Sequence, residues 1–507
     1  MPAQLAYPGV YIEEVPSGSR TISGTATSVT AFIGRAKRGS VNKAIRVQSF
    51  GQFEREFGGL WRHSTMSYAV QHFFQNGGGD TVIIRLCKNA AKAGLTLACG
   101  TGEGAEQLML EANNEGIWGN NLKVTVDNNT SAELEAQYGL EAGDLFNLTI
   151  TDTLSGAAEE FRNISVKESP RQIDDILSGI SKLARVSSGT LPVARPNAIT
   201  QAAFDGGTDG TQLTGDEYTG SESKKTGIYA LNDVDIVNLV CIPPISDDDD
   251  TPVAVLSKAI TLCRKKRAML IVDSPKAWVD VETAEKGLPG LAPHENGAIF
   301  FPRLLMPDPL QENRIREFAP CGAVAGVFAR TDVQRGIWKA PAGTNAVLMG
   351  VQGFSVNVSD GEQGHLNPLG INCLRSFPVV GNVIYGARTL KGADQLASEF
   401  KYIPVRRLTL HIEENLYRGT QFAVFEPNDE RLWSDIRYTI NSFMHDLFRK
   451  GAFQGTNAAQ AYFVKCDADT TIQEDINRGI VNIVVGFAPL KPAEFIVIKL
   501  QQMAGQV

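Results

Sequence analysis

Apolar positions along this chain follow two periods, and the period predicts the elements. Runs that are apolar at nearly every position occur at residues 28–34, 80–86, 235–242, 268–272 and 298–301. Such runs read as strands covered on both faces. Between them the spacing turns helical. Phe50, Phe53 and Phe57 recur behind Ser49 and stop at Gly58-Gly59. Residues 65–75 place Tyr68, Ala69, Phe73 and His72 on one side, with Asn76-Gly77 as the cap. The resulting β-α-α-β opening predicts an α/β layer. Further on, a helix at 252–266 lies between the runs at 235–242 and 268–272. That βαβ unit requires a parallel sheet. Residues 319–330 are rich in small side chains (Gly322, Ala323, Ala325, Gly326), which allows a helix to pack closely, and 338–345 reads as tight turns.

The texture changes at residues 89–227. Small and polar residues dominate, and alternating segments at 122–126 and 146–150 read as half-exposed antiparallel strands, with a helix at 173–183. The last block returns to helical spacing at Leu408, Ile412 and Leu416. Its main helix is expected at 429–450, with Trp433, Ile436, Ile440, Phe443, Met444 and Leu447 as one apolar stripe and Gly451 as the cap. Strands are expected at 461–465, 479–485 and 494–500. The two ends of the chain carry β-prone segments, Val10, Tyr11, Ile12, Glu13 and Val15 near the start, and Phe495, Ile496, Val497, Ile498 and Leu500 near the finish. A strand apolar on both faces at a chain end must pair with a sheet, its own or a neighbour's.

Composition narrows the function. The 507 residues, 43% hydrophobic, suit two to four domains with sizeable cores. A balance of 48 basic against 56 acidic residues gives −8, which argues against nucleic acid as a direct partner. No run reaches the length of a membrane span and the N-terminus lacks the pattern of a signal peptide, so no membrane insertion is expected. Seven scattered cysteines without a C-x-x-C pair suit reduced thiols. No H-x-x-x-H pair suggests zinc. The run Asp247–Asp250 lacks calcium-loop spacing and reads as a solvated, self-repelling loop. Gly100–Gly104 is not a dinucleotide fingerprint, and no phosphate-loop lysine motif occurs. Asp273, at a strand end, and His294 are the only hints of hydrolytic chemistry. A serine hydrolase needs a nucleophile on a glycine-flanked turn beside them, and no G-x-S-x-G is present. Asp273 therefore reads as a turn or capping residue. No catalytic residue, metal or cofactor is expected, and the pattern favours assembly over catalysis.

Several stretches together resemble the contractile tail sheath protein family of phage tails, tailocins and related contractile injection systems. They are Tyr7-Pro8-Gly9-Val10-Tyr11-Ile12-Glu13-Glu14, Phe73–Gly78 leading to Val82–Arg85, Cys321–Asp332, Trp338–Gly343, Leu366–Asn372, Gly386–Leu390, Phe425-Glu426-Pro427-Asn428 and Ala488–Ile496. The resemblance covers 7–88 and 228–500. It implies an α/β and α+β multidomain protein. Residues 1–28 would be an exchange arm. Residues 29–88 and 228–390 would form a subtilisin-like, non-catalytic α/β core, and 89–227 a mostly β inserted outer domain. Residues 391–507 would be a C-terminal α+β domain facing an inner tube. It implies stacked hexameric rings linked by extended terminal arms, with Val10–Val15 and Phe495–Leu500 as the exchanged strands and glycine-rich hinges at Gly18–Gly24 and Gly486. Partners would be further copies of the chain, the inner tube protein, and baseplate and tail-terminator or cap proteins, in a particle assembled in the bacterial cytoplasm. Arg437, Arg449 and Lys450 would contact the tube. The competing readings are an α/β hydrolase, in which Ser, His and Asp must converge, and a non-contractile tube or baseplate subunit, which would exchange no arms.

Overall fold

The structure is a computed structural model that describes residues 22–100, 106–187, 189–287 and 290–499. The chain divides into two compact units. One contains Ser28–Arg330 and Pro341–Ser398, the other Met1–Thr27, Thr331–Ala340 and Glu399–Val507.

The larger unit is built on an eight-stranded sheet. Its order is Gly381–Ile384, Ile371–Phe377, Gly297–Phe301, Met269–Asp273, Leu239–Cys241, Thr30–Gly34, Thr81–Arg85, Ala44–Val47. The six inner strands run parallel and both edge strands antiparallel. The inner strands are nearly continuous apolar runs because helices cover both faces. On one face Val240, Leu270, Val272 and Ile299 pack with Leu256, Ala259, Ile260 and Cys263 of the helix Val253–Lys265. On the other, Phe32 meets Phe73 of the helix Thr65–Gln75 at 5.5 Å between ring centroids. Phe300 meets Phe328 of the helix Cys321–Arg335 at 6.0 Å. The expected small-residue contact is there. A Cβ on Gly322 would lie 2.1 Å from the Ala69 carbonyl oxygen, and one on Gly326 2.5 Å from that of Phe73.

Local signals set the helix ends. The Ser49 hydroxyl accepts from Gln52 N–H, and Gly58 closes the helix Phe50–Phe57 at φ 86°. Within the same unit, residues 94–203 form two antiparallel sheets. One has the order Ile199–Ala203, Leu122–Asp127, Leu145–Asp152, Ala158–Ser165, the other Gly94–Cys99, Glu106–Ala112, Ala184–Val186. They enclose a separate core around Trp118, Phe146, Ile150, Phe161 and Leu177. Both alternating segments read from the sequence are strands of this layer.

The second unit packs the helices Ile403–Gly419 and Glu430–Arg449 around Leu408, Ile412, Trp433, Ile436, Ile440, Met444 and Leu447. Asp429 caps the longer helix by accepting from Leu432 N–H. A two-stranded antiparallel sheet, Tyr462–Lys465 with Val484–Phe487, completes it. The strand expected at 479–485 forms five residues later than expected, at Val484–Phe487. Residues 494–499 form no strand within this chain.

Because backbone stands where a side chain would go, Gly322→Ala should destabilise the larger unit by about 1–3 kcal/mol through overpacking. Urea unfolding checks this, and an unchanged midpoint would show that the two helices can separate at no cost.

Candidate assembly surface

The end of the described chain presents four large apolar side chains in a row. Phe495, Ile496, Val497 and Ile498 are 76%, 84%, 80% and 78% exposed. The sequence calls for burial on both faces, and the described residues of this chain supply little of it. Val10, Tyr11, Ile12, Glu13, Val15 and Leu500 lie outside the described residues.

The second unit also has open strand edges. Tyr462–Lys465 and Val484–Phe487 pair only with each other among the described residues, and Phe463 and Val484 are half exposed. A two-stranded sheet is marginal by itself. By contrast, the larger unit protects its edges. In its main sheet, residues 343–348 bond along the outer side of Gly381–Ile384, and Ala44–Val47 is only four residues long and carries Arg46. The strand Ala158–Ser165 carries Glu159, Glu160 and Arg162. The strand Ile199–Ala203 is bulged, with Gln201 at φ 54°. Charges and bulges blunt an edge against further pairing.

The expected hinge at Gly486 is a packing position instead. It is paired with Phe463, and a Cβ there would lie 2.2 Å from that ring. The cations expected to contact a tube are engaged differently from one another. Arg437 reaches back to Glu430 at 2.5 Å and to the Cys466 carbonyl. Lys450 pairs with Asp446 at 2.6 Å, while Arg449 is exposed.

The ends of the parallel strands are closed by charge. Asp247 pairs with Arg316 at 2.5 Å, Asp248 with Lys276 at 2.7 Å, and Asp250 with Arg303. Asp249 accepts from Gln212 Nε2 at 2.6 Å. This overturns the reading of a self-repelling loop, since the cations that neutralise it lie 28 to 69 residues away in sequence. A cavity of about 30 Å³ lined by Tyr68, His72, Arg303, Glu317 and Phe318 remains beneath, room for a water and no more. Burial holds His72 down at about 4, so its imidazole is neutral near pH 7.

The hydrolase alternative fails on geometry. Asp273 ends its strand in register with Phe300, whereas His294 precedes Gly297, where the neighbouring parallel strand begins. The two residues lie at opposite ends of these neighbouring strands, more than about 10 Å apart along them. Asp273 Oδ1 instead accepts from Cys321 N–H at 2.7 Å, capping the helix Cys321–Arg335. Its Oδ2 has no protein partner. No His/Cys/Asp/Glu group among the described residues could hold a metal, and no described helix is long and apolar enough to cross a membrane.

Sequence reasoning missed a buried ion pair. Arg407 meets Asp332 in a bidentate pair at 2.8 and 2.6 Å, each side chain 2% exposed. An arginine at a buried position of the 403–419 helix was the available signal.

An α/β sheet closed at its strand ends, beside a second unit with open strand edges and an uncovered apolar terminus, has the fold of tail sheath subunits. The sheath complex of an extracellular contractile injection system in its contracted state superposes with a TM-score of 0.59 at 22% identity, covering 99% of this chain and 98% of that one. A sheath tail protein from Listeria innocua gives 0.62 at 14%, covering 92% and 96%. In sequence, residues 301–390 match the phage tail sheath protein central domain and 396–502 the phage tail sheath C-terminal domain. The tail sheath protein of Vibrio phage KVP40 is 29% identical over 176 residues, 34% of this chain and 25% of that protein. That of Burkholderia phage BcepMu is 23% identical over 480 residues, 89% of this chain and 88% of that protein. The chain thus spans about a quarter of the length of the KVP40 and T4 relatives it matches. The matched family models are those of tail sheath domains, and these relatives are tail sheath proteins.

Two measurements follow. Burial pushes Asp273 up to about 6 from 3.8, against the opposing hydrogen bond from Cys321. The folded chain therefore holds this proton to higher pH than the unfolded chain, and stability should fall as pH rises from about 4 through 6, then level off. Asp273→Asn keeps the acceptor and cannot titrate, so it should remove on the order of 1–3 kcal/mol of that pH dependence in urea unfolding at about pH 5 and pH 7.5. Asp332→Ala strands a buried guanidinium and should cost about 3–5 kcal/mol by the same assay.

Proposed function

We propose that this chain is the structural subunit of a contractile sheath. Copies would stack as six-membered rings around an inner tube, with baseplate and cap proteins at the ends, in a phage tail or tail-like particle assembled in the bacterial cytoplasm. Strands given by the two terminal segments, residues 10–15 and 495–500, link neighbouring copies. The assembly would start extended and metastable, then contract by rigid-body repacking that consumes no nucleotide and drives the tube through a target envelope. The α/β core would be subtilisin-like in shape only, and Arg437, Arg449 and Lys450 would lie towards the tube. Arg449 is the most available of the three, since Arg437 and Lys450 already hold acidic neighbours.

One observation carries this reading: the uncovered run Phe495–Ile498 in the same unit as a two-stranded sheet with open edges. Each backbone bond of an added strand contributes a net ~1 kcal/mol, and apolar burial adds ~25 cal/mol per Å². A strand of six residues can therefore hold a link while the bodies on either side move.

Replacing Ile496 and Ile498 together by Asp should leave the thermal unfolding of the single subunit unchanged, since both are exposed. Electron microscopy should show hollow tubes from the unaltered chain and none from this variant or from a deletion of residues 1–20. Tubes from all three would refute strand exchange.

A further inference from the structure

We infer that residues 22–27 are a fixed anchor for the N-terminal strand, and that Asn415 is the positioning residue that sets where that strand leaves the subunit. This rests on the strand-exchange reading and adds to it the point about which the N-terminal link turns.

The observations all lie within one unit. Asn415, fully buried, accepts from the Thr25 backbone N–H through Oδ1 at 2.9 Å and donates through Nδ2 to Thr25 Oγ1 at 3.1 Å. Its amide also donates to the His411 carbonyl at 2.7 Å, one turn back, which fixes the side chain's orientation. Four residues further along the same helix face, Gly419 leaves the space that Ile22 fills. A Cβ at Gly419 would lie 2.5 Å from Ile22 Cδ1. Arg407, two turns the other way, donates to the Thr27 carbonyl at 2.9 Å while locked to Asp332. Residues 407, 411, 415 and 419 form one stripe at a spacing of four. The stripe holds Ile22, Thr25 and Thr27 in order.

The segment therefore contains three attachment points over six residues. Ser23, Gly24 and Ala26 are exposed between them. Gly24 lies inside the seated stretch and is no hinge; the rest of the hinge expected across Gly18–Gly24, residues 18–21, lies outside the described residues. An anchor at this place converts a pull on the N-terminal strand into a force on the helix Ile403–Gly419, whose Arg407 is pinned in the buried core of its unit. It also fixes the direction in which the strand is offered, so that neighbouring copies receive it in one register.

The test compares full-length chains by electron microscopy and hydrogen exchange. Thr25→Pro removes the N–H and hydroxyl that Asn415 holds and touches no core residue. Asn415→Ala removes the same bonds from the helix side, and Ser23→Ala is the control at an exposed position. Thr25→Pro should retain the thermal transition of the subunit, and both anchor variants should expose the amides of 22–27 to exchange at least tenfold faster and give few or no tubes. The control should match the unaltered chain. Asn415→Ala alone could unfold a buried site, and Thr25→Pro keeps the outcome decisive. Normal tubes from Thr25→Pro, with faster exchange at 22–27, would overturn the anchor. If the deletion of residues 1–20 also gave tubes, the strand-exchange reading itself would fall; if that deletion gave none, only the anchor would.

Discussion

Backbone hydrogen bonding along strand edges is the constraint on which this architecture turns. Every strand needs a partner for its N–H and C=O groups or a device that discourages one. The larger unit meets that demand internally. Its main sheet has residues 343–348 bonded along one outer strand and a short strand carrying Arg46 at the other side, and its outer layer uses charges and a bulge. The second unit leaves two strands of four residues with outward edges and ends near a run of apolar side chains that no other described residue covers. The same chain thus separates a self-contained body from a part whose bonding is unfinished. The strand ends are occupied by bonds of another kind. The crevice where an α/β sheet usually binds a ligand lies outside the strand ends. Here the ion pairs of Asp247, Asp248 and Asp250 cross it, and Asp273 is committed to a helix N-terminus.

Much of this was legible in the sequence. Helices announced themselves through spacing and end signals, as at Ser49, Gly58, Asn76 and Gly451. The buried parallel strands announced themselves through unbroken apolar runs. The edge strand Ala44–Val47 and the hairpin Leu304–Asp308 with Arg314–Phe318 were not visible, because short strands carrying Arg46, Pro307, Asp308 and Arg316 lack alternation that rises above loop texture. Their pairing is set by neighbours far away in sequence. The aspartate loop was misread for the same reason. A run of like charge looks self-repelling until the arginines that fold brings to it are known.

The candidate surface was legible in part. The apolar terminus could be read directly, since four consecutive large hydrophobics in a polar tail are conspicuous. The pinned segment at 22–27 could not. Asn415 is an ordinary polar residue in a helical stripe, and only the fold shows that its amide meets Thr25. Arg407 was a better clue, because a buried position on an apolar face demands a counter-charge.

The contact between Thr25 and Asn415 closes a loop of 390 residues. A ribosome makes roughly 5–20 residues per second, so at least about 20 s separate the synthesis of the two partners. Throughout that interval the N-terminal segment has no seat. If copies are linked through their N-terminal segments, a nascent chain would have no fixed direction in which to offer its own, however many sister chains were growing beside it on the same message. The order of synthesis would then keep unfinished chains from being stitched to one another, and only a chain completed through its second unit would be competent to join.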